Sequence, residues 1–240
     1  MIAIIKREIA AYFSSAIGYI VLAAFYVFGG FYFYMSGLMS NTTDLSYTFS
    51  SLFVIMIFII PILTMRLFSE EKKQKTDQAL LTAPVSLTSI VLGKYFAALL
   101  MYLFCILITL VYAVIISFFN APDWITVLGN FLGIFLLGMA LISMGLFLSS
   151  ITENQIVAAI GGIVVGLLML FMDSIAQAIS VEFISNILKK ISLMSYYNNF
   201  TLGVVSLKDI GFFVSVCALF IFFTVRVFEK KDGVRKEHRR

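Results

Sequence analysis

The sequence predicts an all-α, polytopic membrane protein, and its composition carries that prediction. Of the 240 residues, 61% are hydrophobic and only 12% are charged. Soluble globular domains carry about 25% charged residues and about half apolar residues. The apolar residues also form long continuous tracts, whereas the strands of a membrane β-barrel alternate over about ten residues. These two features exclude a soluble domain and a β-barrel.

Six tracts are long enough to cross a membrane, since a helical span needs about 20 predominantly apolar residues. We therefore predict a single transmembrane domain over residues 1–240, with spans 1 and 2 within residues 17–67, spans 3 to 5 within residues 95–172 and span 6 at residues 210–228. The six predicted tracts are residues 17–35, 52–67, 95–119, 125–148, 156–172 and 210–228.

The distribution of positive charge predicts the orientation, because Lys and Arg collect on the cytoplasmic side of membrane proteins. With both termini in the cytoplasm, all but three of the 17 Lys and Arg residues lie on that side. The three exceptions are Lys189, Lys190 and Lys208. We expect the basic tail at residues 229–240 to meet anionic lipid headgroups of the bilayer and to bind no nucleic acid.

Residues 69–94 form the one long polar segment between spans. Residues 70–81 are rich in helix formers, and Pro84 stops a helix from continuing. We predict two short helices with a corner between them, the second one capped by Ser86. Composition alone leaves two interpretations equally open: a solvated loop, or a docking element for a cytoplasmic partner.

Residues 1–15 form an amphipathic stretch before span 1. Apolar residues that include Ile5 and Ile9 repeat on one helical stripe, whereas Lys6, Arg7 and Glu8 lie off it. This pattern predicts an elbow helix that lies in the membrane interface. A simple extension of span 1 is the alternative.

Residues 173–207 are too polar to span the membrane and too apolar to be a free loop. Apolar residues recur there near helical spacing, which predicts one or two amphipathic helices at the outer surface, with a re-entrant hairpin as a variant. The aromatic and amide residues at 196–200 fit an interfacial belt, and a contact with substrate or with an extracytoplasmic partner is the alternative.

Glycines recur at four-residue spacing in spans 4 and 5, at Gly129 and Gly133 and at Gly162 and Gly166. Small residues at this spacing let the backbones of membrane helices approach each other closely. We expect these faces to pack against neighbouring helices or against a second copy of the chain.

The sequence carries no motif for chemistry of its own. It has no P-loop, and its single histidine, His238, excludes a HExxH metalloprotease. Cys105 and Cys217 lie inside predicted spans and suggest packing residues. We expect no catalytic residue, no metal site and no bound cofactor, so any energy source resides on a partner.

Residues 66–94 resemble the segment between spans 2 and 3 of the membrane subunits of type 2 ABC exporters, the ABC-2 permeases. The family pattern has paired acidic residues, a threonine, a leucine pair and a proline before span 3. The ending, at residues 200–226, is similar to gliding-motility-associated permeases. The positions that match the family pattern are Glu70, Glu71, Thr76, Leu80, Leu81, Thr82, Pro84, Gly93 and Lys94.

This resemblance implies six spans, an elbow and a coupling helix, in the permease subunit of an ATP-driven exporter of the bacterial inner membrane. ATP and Mg²⁺ would bind to a separate ABC ATP-binding subunit, and a second permease copy or a paralogue would complete the pathway. The chain departs from the family at Lys75, where glycine is usual, and at Gln78, where glutamate is usual. The resemblance assigns the ATPase-coupling contact to Glu70, Glu71, Thr76, Asp77, Leu80, Leu81, Thr82 and Pro84.

Two other classes of function compete with this interpretation. A membrane scaffold without a transport path would use the polar loop only to recruit a partner. A secondary transporter is disfavoured, because the sequence has no clear internal repeat or broken helix.

Overall fold

The computed structural model describes residues 1–40, 42–75, 85–119 and 121–237, and the side chains up to residue 230. Within these ranges the chain is helical and has no strand. Its helices are α1 (Ile2–Phe13), α2 (Ala16–Phe33, continued by a π-helical turn at Tyr34–Leu38), α3 (Ser46–Thr64), α4 (Arg66–Lys73), α5 (Leu87–Ser117), α6 (Trp124–Ile151), α7 (Gln155–Ala178), α8 (Glu182–Ile191), α9 (Leu193–Thr201) and α10 (Leu207–Glu237).

The prediction of an all-α protein with six spans is confirmed by the length and composition of the helices. The second span differs most from its prediction, since it begins six residues before residue 52 and continues through α4. The polar start of α3 is helical because its hydroxyl groups find partners: Ser46 Oγ donates to the Thr201 carbonyl at 2.8 Å, and Thr48 lies 2.6 Å from Ser36 Oγ. The candidate spans are Ala16–Leu38, Ser46–Lys73, Leu87–Ser117, Trp124–Ile151, Gln155–Ala178 and Leu207–Lys230.

Two spans form the centre of the structure. The second span, α3 with α4, and the fourth span, α6, are each 67% buried over their most apolar stretch, whereas α7 is 17% and α10 is 22% buried. Helix α6 packs against α3, α5 and α10. The apolar surfaces of α7 and α10 therefore face outward, where lipid or another chain covers them in a membrane.

Side chains just before four of the helices fix where those helices begin. Ser86 Oγ accepts a hydrogen bond from the Ser89 amide, as predicted, and Ser192 caps α9 in the same way. Asp123 and Asn154 accept bonds from the second amide of α6 and of α7, respectively. Each cap satisfies a backbone donor that has no partner within its helix.

The predicted helix over residues 70–81 is wrong in its bounds. Helix α4 begins earlier, at Arg66, and ends at Lys73. The chain then turns, because Lys75 adopts the left-handed backbone conformation, with φ at 56°. This conformation commonly ends a helix. The remainder of the prediction, residues 76–84, lies outside the described residues.

The aromatic cluster at residues 196–200 divides between the core and the surface. Tyr197 and Phe200 are fully buried, and Tyr197 donates a hydrogen bond to the Phe49 carbonyl at 2.7 Å. The prediction of an interfacial belt is therefore wrong for these two residues, since helix α9 turns them toward α3 and α6. Tyr196, by contrast, donates to the Lys190 carbonyl in an exposed hydrogen bond.

The glycines of α6 and α7 are contact points within the chain. A Cβ atom on Gly133 would lie 2.4 Å from Phe200 Cβ, and one on Gly162 would lie 2.8 Å from Pro61 Cβ. Close packing at the predicted glycines is thus confirmed, with neighbouring segments of the same chain as the partners.

Gly138 provides a test of this packing. Replacing Gly138 by Ala should lower the free energy of unfolding by about 1–3 kcal/mol, the usual cost of overpacking, because the new Cβ would lie 2.2 Å from the Tyr102 ring. The ring cannot yield easily, since Tyr102 Oη donates to the Ile134 carbonyl at 2.5 Å. The measurement is the thermal unfolding midpoint of the detergent-purified protein.

Gly161→Ala is the matched control, because its added Cβ would meet Leu148 at an ordinary 3.8 Å. Its unfolding midpoint should stay near that of the unmodified protein. Equal midpoints for the two variants would contradict the close contact between α5 and α6.

Candidate functional site

Four charged residues meet where α1, α4 and α5 come together, and we call them the charge cluster: Arg7, Glu8, Glu71 and Lys94. Lys94 Nζ lies 3.0 Å from Glu8 Oε1 and 3.0 Å from Glu71 Oε1. Arg7 Nη2 lies 2.6 Å from each of the same two oxygens. Two positive and two negative charges thus alternate around one point.

Lys94 is the most deeply buried member of the charge cluster, with 1% of its side chain exposed. A buried ammonium group is costly unless it is paired and hydrogen-bonded. Here the ammonium has an acceptor for each of its three protons, since the Leu67 carbonyl lies 2.5 Å from Nζ in addition to the two carboxylates. The Phe68 ring centroid, 5.1 Å away, adds a cation–π contact.

Glu8 is held in its charged form by this arrangement. Burial alone would raise the pKa of Glu8, but Lys94 and Arg7 outweigh it, and the pKa lies below its ordinary value of 4.5. A carboxylate with a lowered pKa stabilises the folded state above its ordinary pKa, and this contribution is lost as the pH falls through the folded value. At neutral pH the charge cluster is therefore fully ionised at Glu8.

The two predicted acidic contacts of α4 reach different partners. Glu71 belongs to the charge cluster, whereas Glu70 Oε2 lies 3.3 Å from Arg66 Nε. Arg66 in turn donates to Ser15 Oγ at 2.6 Å, just before span 1. Both acidic residues thus help to tie α4 to the N-terminal part of the chain.

The other predicted coupling residues lie outside the described residues: Thr76, Asp77, Leu80, Leu81, Thr82 and Pro84.

Among the predicted elbow residues, only Arg7 enters the charge cluster. Lys6 is exposed, and Ile5 and Ile9 are half-buried on α1. The prediction that Glu8 lies off the packed face of α1, with Lys6 and Arg7, is wrong, because Glu8 packs inward against Lys94. A signal was available, because Ile4, Glu8 and Tyr12 also recur at four-residue spacing, with a carboxylate at the centre of the stripe.

On its other side, α4 is fastened to the end of α6. Ser149 Oγ accepts hydrogen bonds from the amides of Phe68 and Ser69, at 3.0 and 3.2 Å, and donates to the Met65 carbonyl at 2.9 Å. These amides belong to the first turn of α4, where backbone donors have no partner within the helix. A side chain of another span thus caps α4.

Lys72 adds a second bond between α4 and α6. Its ammonium donates to the Ser150 carbonyl and lies 5.8 Å from the Phe228 ring centroid on α10. Phe68 also packs on Phe228, with 4.7 Å between ring centroids. One short helix therefore contacts α1, α5, α6 and α10 at the same end of the structure, which we call the α1 end.

The contacts at the α1 end tie α4 to the helices around it. Its carboxylates are occupied by ion pairs, and no group of three or more metal-ligating side chains occurs in the part of the chain that the structure describes. What the contacts can do is to transmit a displacement of α4 to the helices around it.

A family model described as an ABC-2 family transporter protein matches residues 5–173. The match covers more than half of the chain and includes the whole charge cluster. The similarity of residues 200–226 to gliding-motility-associated permeases lies beyond it and stays a prediction. A comparison with curated proteins finds no match.

Members of this family are permease components of ABC transporters, generally not catalytic themselves, and they work with an ABC ATP-binding partner. The six apolar helices agree with a multi-pass membrane protein of this kind. The chain therefore belongs to the ABC-2 family of transporter membrane proteins.

Proposed function

We propose that this chain is the permease subunit of an ATP-driven exporter, and that α4 carries movement from an ATP-binding subunit to the membrane spans. The observation that supports this most is the position of α4. It continues the second span, contacts α1, α5, α6 and α10, and leads into residues 76–84, the remainder of the proposed docking segment at residues 69–84.

The coupling step is a rigid-body displacement. Nucleotide-driven closure of the ATP-binding subunits pushes on the docking segment and tilts α4. Because Glu71 is ion-paired to Lys94 on α5 and Ser149 on α6 is bonded to the first turn of α4, spans 2, 3 and 4 move with it. Nucleotide thereby selects between two packings of the spans.

The proposed orientation places the α1 end in the cytoplasm of a bacterial cell, beneath the inner membrane. Basic side chains concentrate at this end, among them Lys6, Arg7, Arg66 and Lys72, as the positive-inside rule requires. Helix α1 then serves as the elbow, with Glu8 and Tyr12 turned toward the bundle and Ile2, 69% exposed, turned outward.

A second permease copy or a paralogue completes the transporter in this proposal. The large apolar surfaces that α7 and α10 leave uncovered, with 17% and 22% burial, are available for such a partner and for lipid. The scaffold alternative gains no support from the family match, because the family is one of transporters.

The docking segment is tested by replacing Leu81 with Asp. A charge in the apolar centre of an interface is costly to desolvate, so the variant should insert into the membrane normally but lose the ATP-binding subunit. We expect at least a tenfold loss of the P-loop protein that co-purifies in mild detergent, and of the ATPase activity of the eluate.

Phe118→Asp is the control for Leu81→Asp, since it makes the same kind of change at an 83% exposed site at the other end of span 3. It should co-purify with its partner in normal amount. Normal co-purification and ATPase activity in Leu81→Asp would refute the docking role.

The charge cluster is tested by replacing Lys94 with Met. This change leaves two buried carboxylates facing Arg7 alone, and breaking one partner of a buried ion pair costs about 3–5 kcal/mol. We expect a lower thermal unfolding midpoint for Lys94→Met than for the double variant Lys94→Met with Glu8→Gln, which restores charge balance.

The double variant also separates stability from coupling. It should bind the ATP-binding subunit but drive less ATP-dependent transport, because Glu71 on α4 is no longer ion-paired to α5. If the single and double variants unfold at the same temperature, the ion pair between Lys94 and Glu8 does not hold this end together.

A further inference from the structure

The three lysines that depart from the positive-inside pattern lie in one place. Lys189 and Lys190, at the end of α8, and Lys208, at the start of α10, line a single cleft of about 400 Å³. The cleft lies at the end of the structure opposite to the α1 end, beside α9. The residues that complete its lining are Asn186, Ser195, Tyr196, Asn199 and Asp209.

The cleft carries an excess of positive charge. None of its three ammonium groups forms an ion pair with any residue that the structure describes. The one carboxylate of the lining, Asp209, is 3% exposed and accepts a hydrogen bond from Asn199 Nδ2 at 2.9 Å. Like charges that are held together without a counter-ion repel each other and attract an anion.

An apolar surface adjoins the cleft. Helix α8 is amphipathic: its polar face, with Asn186 and Lys190, lines the cleft, and its apolar face is exposed. Phe183 and Ile187, one turn apart on the apolar face, are 75% and 41% exposed. A helix with this division lies at the boundary between headgroups and acyl chains.

The residues on the other wall of the cleft also indicate the headgroup level of the membrane. Tyr196 stacks on Phe212, with 4.0 Å between ring centroids, and Phe212 lies in the second turn of span α10. Tyrosine at the end of a span is typical of the headgroup region. We therefore expect the cleft to open at the level of the lipid phosphates, with acyl-chain surface beside it.

We infer that this cleft binds the phosphate headgroup of an anionic membrane phospholipid. The lysine ammonium groups pair with the phosphate oxygens, the side-chain amide of Asn186 is within the lining for a further hydrogen bond, and the acyl chains run along the apolar face of α8. The continuity of cationic cleft and apolar face favours a lipid over a soluble anion. A volume of about 400 Å³ suits a small-molecule headgroup.

The test is a binding titration on the full chain in detergent, with short-chain phosphatidylglycerol as the probe. Bound lipid is counted by native mass spectrometry, and the unfolding midpoint is followed, since a ligand of the folded state raises it. The triple variant Lys189→Gln, Lys190→Gln and Lys208→Gln should bind phosphatidylglycerol at least tenfold more weakly than the unmodified chain.

Two matched variants control for charge and for folding. Lys73→Gln and Lys75→Gln remove positive charge at the α1 end and should change the affinity less than threefold. Lys189→Arg, Lys190→Arg and Lys208→Arg keep the charge in the cleft and should retain binding. If the glutamine variant fails to fold, the arginine variant provides the test. Loss of lipid binding in a folded arginine variant would overturn the inference.

Two other probes identify the source of the anion. Phosphatidylcholine of the same chain length should bind at least tenfold more weakly, and glycerol 3-phosphate should not displace the lipid. Equal binding of phosphatidylcholine, displacement by glycerol 3-phosphate at the same concentration, or unchanged binding in the glutamine variant would each overturn the inference. The assay needs neither ATP nor a partner subunit, so its failure leaves the proposed exporter role untouched.

Discussion

The buried ammonium group of Lys94 is the constraint on which the α1 end depends. It cannot leave Glu8 and Glu71 without exposing an unpaired charge to an apolar interior, which is far more costly than the pair itself is stabilising. Helices α1, α4 and α5 must therefore meet at one point. Ser149 supplies the complementary bond on the opposite side of α4, so the position of α4 is determined from two directions.

The charged side chains are arranged differently at the two ends of the molecule. At the α1 end the charges alternate in sign, each cation lies within 3.0 Å of both carboxylates, and three of the four side chains are largely buried, which makes them part of the packing. At the end near α9, three lysines and a single carboxylate line an open cleft, so its lining carries a net positive charge. The first arrangement holds helices together, and the second leaves a positive field that attracts an anion.

The sequence was sufficient for the spans but not for the site. Long apolar tracts that cross a membrane form helices, because every backbone polar group in lipid must be satisfied within the helix. The position of Glu8 depended instead on which of two overlapping stripes of α1 faces the bundle, a choice made by tertiary packing. The inward turn of Tyr197 likewise depended on the Phe49 carbonyl, 148 residues away in the chain. The sequence indicated a role for Glu70 and Glu71 of α4, but it did not indicate their ion-pair partners, which lie on α1, α4 and α5.

The backbone of Lys75 has a consequence of its own. A residue with a side chain adopts the left-handed conformation, φ 56°, at a cost of about 1–2 kcal/mol. Glycine, which is usual in the resembled family at this position, would adopt it freely. The turn after α4 therefore carries a local backbone cost that glycine at this position would remove.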